Sequence, residues 1–227
     1  MSRVAKPSIG DVLDALLRGH DRNRQPLGLP RTHVLLGTIV VCGCTYGTVM
    51  GSFSLRPLQM LYSALKVPLL FAVTFVISLP AFYVLNTLAG LRDDFNQSIR
   101  ALAATQAGVN VVLLSLSPLT LVWYVSCLDY SMAVVFNTVM FAISSVAGQM
   151  LLTRFYRPLI QRNSRHGTML KVWLVIFSFV GVQTGWMLRP FIGSPQRATT
   201  FVRMDDWSNA YVAVFRLFVR VATEDPT

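Results

Sequence analysis

Long apolar runs alternate with short polar and basic stretches along this chain. Five of the runs are long enough to cross a hydrocarbon layer of about 30 Å, which takes about 20 helical residues. These runs cover residues 34–55, 67–89, 102–126, 130–152 and 170–188. The pattern therefore predicts an all-α protein, a polytopic transmembrane helical bundle with five spans.

Three shorter stretches have an amphipathic pattern. Residues 54–66 carry an apolar stripe beside Arg56 and Lys66, and residues 8–17 and 207–221 repeat apolar side chains at helical spacing. Segments of this kind lie along a membrane surface and do not cross it. The predicted organisation is an N-terminal segment at 1–33, a five-span domain at 34–188 and a C-terminal segment at 189–227, with an amphipathic helix in each terminal segment.

Composition and charge place the chain in a membrane. Of its 227 residues 53% are hydrophobic and 13% charged, with a formal net charge of +10. The mean hydropathy of +0.53 is too high for an ordinary soluble domain. The basic residues fall between the predicted spans. The positive-inside rule therefore explains the positive charge better than nucleic-acid binding does. Their larger share lies on one side, so we expect a cytoplasmic N-terminus and an external C-terminus, with anionic lipid as a partner.

Small residues recur at intervals of four within three predicted spans. Glycine at such positions removes the side chain that keeps two helix backbones apart in a bilayer. We favour packing of these faces inside one bundle, with a docking face for another chain as the alternative. The faces consist of Gly43, Gly47 and Gly51, of Ser144 and Gly148, and of Gly181 and Gly185.

The polar side chains inside the predicted spans are neutral. No Asp, Glu, Lys or Arg lies in the middle of a predicted span, which counts against a proton-coupled transporter. Amides in a bilayer pair helices by hydrogen bonds more often than they line a pore, so we favour packing and keep a passive pathway as the alternative. The amides concerned are Asn86, Asn110, Asn137, Gln149 and Gln183.

Catalytic and metal chemistry find little support in the sequence. An intramembrane serine hydrolase needs a base near its serine, and a metalloprotease needs paired histidines; neither pattern occurs. Cys42 and Cys44 point in different directions on a helix and are interpreted as small buried hydrophobes. The pair Asp93 and Asp94 is interpreted as a helix cap rather than a metal site. We predict no catalytic, cofactor-binding or metal-binding residue, and an enzyme acting on lipid is the third alternative.

Two stretches are candidates for contact with lipid or a partner. The loop between the fourth and fifth spans is rich in arginine, and the exit from the fifth span reads QTGWMLRPFIGSP. There Trp186 suits the headgroup region, and Arg189 either extends to the membrane surface or binds a phosphate or carboxylate. The loop arginines are Arg154, Arg157, Arg162 and Arg165.

A resemblance rests on two strings, KVPLLFAVTFVISLPAFYVLN at 66–86 and GVQTGWMLRPFIGSP at 181–195, with the FVR that follows. These strings resemble a family of uncharacterised bacterial polytopic membrane proteins, with Leu-Arg-Pro-Phe-Ile-Gly as the most specific part. The number of spans and the lysine before the second span are also similar to the Yip-type five-span proteins. The resemblance implies a bacterial cytoplasmic membrane and supplies no reaction.

These observations together predict a non-enzymatic integral membrane subunit or scaffold. It would assemble with other membrane proteins, with itself or with anionic lipid through glycine-lined helix faces and a basic cytoplasmic surface. The alternative is a small oligomeric transporter or channel with a neutral polar pathway. No cofactor and no nucleic acid enter either hypothesis.

Overall fold

A computed structural model describes residues 32–194, 196 and 198–202. In this part of the chain the structure is all-helical, without a strand, as the sequence predicts. The five helices are α1 (Thr32–Gly51), α2 (Pro57–Leu88), α3 (Phe95–Ser126), α4 (Tyr130–Arg162) and α5 (Arg165–Met187). Each is long and apolar enough to cross a membrane. The predicted amphipathic helices at the two ends of the chain lie outside the described residues.

Three of the helices are markedly longer than the apolar runs. Helix α2 begins at Pro57. Proline suits a helix start because it lacks an N–H, and an N–H at this position would have no intrahelical partner. The prediction that residues 54–66 form a separate surface segment is therefore wrong for most of that stretch. Pro68 lies in the interior of α2. At 32 residues, α2 is about 48 Å long and exceeds the hydrocarbon thickness.

The helix ends carry clear stop and start signals. After α2, Gly90 takes a positive φ of 74°, and the N–H of Leu91 bonds to the carbonyl of Asn86 at 2.8 Å, which is a Schellman ending. Before α4, the Asp129 carboxylate accepts a hydrogen bond from the N–H of Met132 at 3.0 Å. These caps keep the α2–α3 and α3–α4 connections short, so consecutive helices run in opposite directions.

The helices lie around the bundle in the order α5, α2, α1, α3, α4. Helix α1 packs against both α2 and α3, α3 packs against α4, and α5 packs chiefly against α2. Every residue from 101 to 111 of α3 is buried, and most of these side chains are small. Contacts between α4 and α5 are few, so the bundle is open on that side.

Two ends of the bundle can be defined by their residues. The basic end contains the start of α1, the α2–α3 connection and the α4–α5 connection, and its exposed Lys and Arg side chains are Arg92, Arg100, Arg154, Arg157, Arg162, Arg165 and Lys171. The opposite end contains the α1–α2 and α3–α4 connections and the chain after α5. A buried apolar cluster fills each half of the bundle.

Candidate functional site

The glycine stripe of α1 lies against α2. A Cβ atom added to Gly47 would stand 2.3 Å from the carbonyl oxygen of Ser63 and 2.8 Å from the Cα of Ala64. One added to Gly51 would stand 2.9 Å from the carbonyl oxygen of Gln59. The two backbones are therefore so close that only glycine fits, and this face is occupied within the bundle.

The other small-residue faces are also directed at neighbouring helices. On α4, Ser144 is fully buried, and a Cβ on Gly148 would stand 2.5 Å from the Cγ2 of Val109 in α3. On α5, Gly181 and Gly185 approach α2 less closely. A Cβ on Gly181 would lie at the ordinary distance of 3.5 Å from the Cγ2 of Thr74. Close backbone approach is thus a property of α1 and α4, while α5 has room for a larger side chain.

The five amides do not share one site. Asn86 and Asn110 are fully buried, and each donates to the carbonyl four residues earlier in its own helix, at 2.8 Å and 2.9 Å. Gln149 is exposed on α4, and Gln183 is half-buried on α5. Asn137 makes side-chain hydrogen bonds to two other helices.

Asn137 is the centre of a network that joins three helices. Its amide oxygen accepts from the hydroxyl of Tyr46 in α1 at 3.1 Å, and its amide nitrogen donates to the hydroxyl of Tyr124 in α3 at 2.8 Å. The Tyr124 hydroxyl donates in turn to the carbonyl of Met50 at 3.0 Å. Because both ends of the Asn137 amide are occupied, this network pairs helices rather than lining a water path.

At the basic end, Asp94 ties two helix connections together. Its carboxylate lies 2.6 Å from the Nη1 of Arg162 and 3.2 Å from the Nε2 of the fully buried His166. Arg165 also donates to the carbonyl of Ala89 at 3.3 Å. Asp94 occupies the N-cap position of α3, as the sequence predicts, but its side chain makes no capping hydrogen bond there. The candidate arginines of the loop are all exposed.

A polar row on α2 is the feature that sequence reasoning missed. Gln59, Ser63 and Lys66 are fully buried, and they face the chain that follows α5, which we call the anchor segment (residues 188–194). The Nζ of Lys66 donates to the carbonyl of Pro190 at 2.5 Å. Lys66 lies nine residues into α2, directly before the apolar run 67–89 that the sequence predicts to span the membrane.

The next carbonyls of the anchor segment are held in the same way. The carbonyl of Phe191 accepts from the hydroxyl of Ser63 and from the Nε2 of Gln59, the latter at 3.1 Å. The Tyr130 hydroxyl of α4 donates to the carbonyl of Ile192 at 3.3 Å. Buried irregular backbone needs such partners because unpaired buried carbonyl groups cost free energy. The spacing of Gln59, Ser63 and Lys66 at i, i+4 and i+7 was the available sequence signal.

Trp186 and Arg189 form a contact of their own at the end of α5. The guanidinium of Arg189 lies 3.6 Å from the centre of the Trp186 ring, a cation–π arrangement. Both residues border a cavity of about 640 Å³, together with Asn137 and Phe191. The structure thus brings these two candidate residues together at the end of α5, which begins at Arg165 and ends at Met187.

A central cavity of about 360 Å³ lies deeper in the bundle, between α2, α3, α4 and α5. It shares Leu70, Phe141 and Val182 with the cavity beside Trp186. The two cavities therefore adjoin each other on the open side of the bundle, and we call the pair the cleft. The central cavity is bordered mainly by apolar and aromatic side chains, with a few neutral polar ones.

Metal ligands do not gather in the part of the chain that the structure covers. No group of three His, Cys, Asp or Glu side chains that could hold a metal occurs there. Cys42 is buried, Cys44 and Cys127 are half-buried, and all three are free thiols.

Comparison with known proteins gives no relative. No protein-family model, no curated protein and no solved structure matches this chain. The class of protein rests on the fold alone: five apolar helices, each long enough to span a membrane, fit a multi-pass integral membrane protein.

Proposed function

We propose that this chain is a non-enzymatic integral membrane subunit or scaffold whose basic end binds anionic lipid or acidic partner proteins at the cytoplasmic surface. The observation that carries the proposal is the excess of exposed arginine at that end. Arg154, Arg157 and Arg165 are exposed there, while the described acidic residues of this end are Asp93 and Asp94. Cationic residues beside a bilayer attract anionic headgroups by about 1 kcal/mol each.

The basic end is also held in a defined shape. The Arg162–Asp94–His166 contacts connect the α2–α3 connection to the start of α5. A surface fixed in this way loses less conformational entropy when a partner binds. The glycine faces of α1 and α4 contact α2 and α3, so we assign the binding role to the basic end and not to them.

The alternative, a small transporter or channel, has weaker support. A conducting path needs polar groups that converge on one cavity, whereas Asn86 and Asn110 bond to their own helices and Asn137 is fully paired. Gln149 borders the central cavity, and Asn137 borders the other one, so the two belong to different parts of the cleft.

The first experiment is the mass and composition of tagged protein extracted from its native membrane in mild detergent. We expect a second polypeptide at fixed stoichiometry or enrichment of anionic phospholipid. The double variant Arg154→Gln, Arg157→Gln should reduce the amount of the co-purified polypeptide or of the anionic phospholipid. Raised salt should reduce it similarly for the unmodified protein, because salt screens exposed charges.

Ser164→Ala is the matched control, since Ser164 is exposed at the same end and carries no charge. It should leave the composition unchanged. Recovery of the chain alone, with the lipid composition of the bulk membrane, would contradict the proposal.

A further inference from the structure

Three residues that border the central cavity have buried polar atoms that lack partners. Thr74 is 2% exposed, Gln106 is 6% exposed and Trp173 is 2% exposed, and all three border this cavity. Within the described part of the chain, the Oγ1 of Thr74, the Oε1 of Gln106 and the Nε1 of Trp173 make no hydrogen bond. Buried polar atoms are rarely left unpaired, since each unsatisfied atom costs free energy. The three atoms therefore call for a ligand that supplies both a donor and an acceptor.

We propose that the central cavity binds a neutral lipid alcohol, an apolar molecule with a hydroxyl group. A hydroxyl donates one hydrogen bond and accepts up to two. It would donate to the amide oxygen of Gln106 and accept from the indole N–H of Trp173 and the hydroxyl of Thr74. A hydroxyl group thus has both the donor and the acceptor capacity that these three atoms lack.

The remaining border of the cavity suits a neutral and apolar body. Its side chains include Phe71, Phe141 and Phe177, and no charged residue lies among those that border it. A charged ligand group in such a place would lose its hydration without an opposite charge. The volume of about 360 Å³ falls within the range of ligand pockets.

The open side of the bundle gives such a ligand a route from the bilayer. Helices α4 and α5 make few contacts. The central cavity lies on this open side and adjoins the cavity beside Trp186. Gly181 borders the central cavity, and a Cβ there meets only Thr74, at ordinary distances of 3.5 Å and more. A leucine at this position would fill the space that the ligand needs. This site is separate from the basic end, so it stands or falls independently of the proposed function.

The test uses quenching of Trp173 by a brominated probe. A variant with Trp123→Phe, Trp186→Phe and Trp207→Phe retains Trp173 as its single tryptophan, and it is reconstituted in phosphatidylcholine vesicles. The probe is a long-chain alcohol brominated in its chain, because bromine quenches indole fluorescence on contact. We expect saturable quenching that the unbrominated alcohol reverses. The corresponding brominated carboxylic acid should produce no saturable quenching.

Gly181→Leu should abolish the saturable component. Its matched control is Gly37→Leu, an exposed glycine of α1 with nothing near its Cβ position, which should leave the component unchanged. Thr74→Val and Gln106→Leu each remove one hydrogen bond and should weaken apparent binding about twofold to tenfold. These two variants keep the test valid if Gly181→Leu fails to fold.

Three results would overturn the proposal. Quenching that rises in proportion to probe in the bilayer, without saturation, would mean partitioning and no site. Equal saturable quenching in the Gly181→Leu protein or in both polar variants would place the probe elsewhere. Stronger quenching by the brominated acid or by brominated phosphatidylglycerol would mean that an anionic headgroup, and not a hydroxyl, is recognised.

Discussion

At the scale of single residues, Gly47 shows most directly what the tertiary structure requires of the sequence. Its Cβ position falls on backbone atoms of Ser63 and Ala64, which no rotamer change can move aside. Gly37, six positions before the start of the stripe, has open space around it. Two glycines of one helix therefore differ: Gly37 tolerates a larger side chain, and Gly47 does not.

We expect Gly47→Leu to destabilise the protein by about 3 kcal/mol or more, because the leucine forces α1 and α2 apart. Gly37→Leu should change the free energy of unfolding by less than about 0.5 kcal/mol, since its side chain enters lipid. Unfolding of the reconstituted protein by an SDS titration measures both. Similar midpoints for the two variants would refute close packing along the stripe.

The Asn137 network gives a second residue-scale test. Asn137→Leu leaves the hydroxyl of the fully buried Tyr46 without its acceptor and removes a donor from Tyr124. Each lost hydrogen bond in a membrane protein costs roughly 0.6 kcal/mol on average, so the variant should lose about 1–2 kcal/mol of stability.

Thr138→Val is the control for Asn137→Leu. Thr138 is the next residue, it is exposed, and its hydroxyl bonds to the carbonyl of Val134 in its own helix. Its effect in the same SDS titration should be small. If the two variants lose equal stability, the interhelical network contributes nothing beyond a local bond.

At the scale of elements, α2 and the anchor segment act as one unit. Three successive carbonyls, those of Pro190, Phe191 and Ile192, each accept from a buried or half-buried side chain. Gly193 belongs to the same contact, since a Cβ there would stand 2.7 Å from the Cγ of Gln59. The polar, buried first part of α2 therefore holds the irregular backbone of the anchor segment in place.

Lys66→Met should loosen the anchor segment, because the carbonyl of Pro190 loses its charged donor while the side-chain volume is kept. The measurement is the maleimide labelling rate of Ile192→Cys, which is buried in the unmodified protein. The background replaces Cys42, Cys44 and Cys127 to avoid their labelling. We expect a faster rate with Lys66→Met.

Lys171→Met is the matched control, since Lys171 is exposed at the basic end, far along the bundle from the anchor segment. It should leave the labelling rate unchanged. Equal labelling rates of Ile192→Cys with and without Lys66→Met would show that the anchor segment does not depend on the lysine.

At the scale of the whole molecule, the distribution of charge sets the orientation. The exposed arginines of α4 and the start of α5 gather at one end, and the short α3–α4 connection at the other end carries no Lys or Arg. The positive-inside rule is most reliable for short connections of this kind. It predicts that the basic end faces the cytoplasm.

Labelling with a membrane-impermeant maleimide tests this orientation in intact cells. In the cysteine-replaced background, Leu128→Cys in the α3–α4 connection should react from outside, since Leu128 is 85% exposed. Ser164→Cys at the α4–α5 connection should react only after the membrane is permeabilised. The reverse pattern would invert the predicted topology.

The sequence by itself determined the class of protein, the number of spans and the end at which basic residues collect. These depend on local composition and on run length, because the bilayer selects any apolar helix that is long enough. Residues such as Gly47 and Gly148 were also visible as small positions, since their spacing of four is a property of one helix.

Only the tertiary structure decided what those positions contact. Lys66 looked like a residue of a surface segment, and it is buried because the anchor segment folds back onto it. Asp94 looked like a cap, and its carboxylate instead contacts Arg162 and His166, which approach from far along the chain. Such contacts join residues that are distant in sequence, so a local pattern can mark the residues on one helix but not their partners. The physical reason is that burial and pairing depend on how the helices are arranged around one another, which periodicity within a helix does not specify.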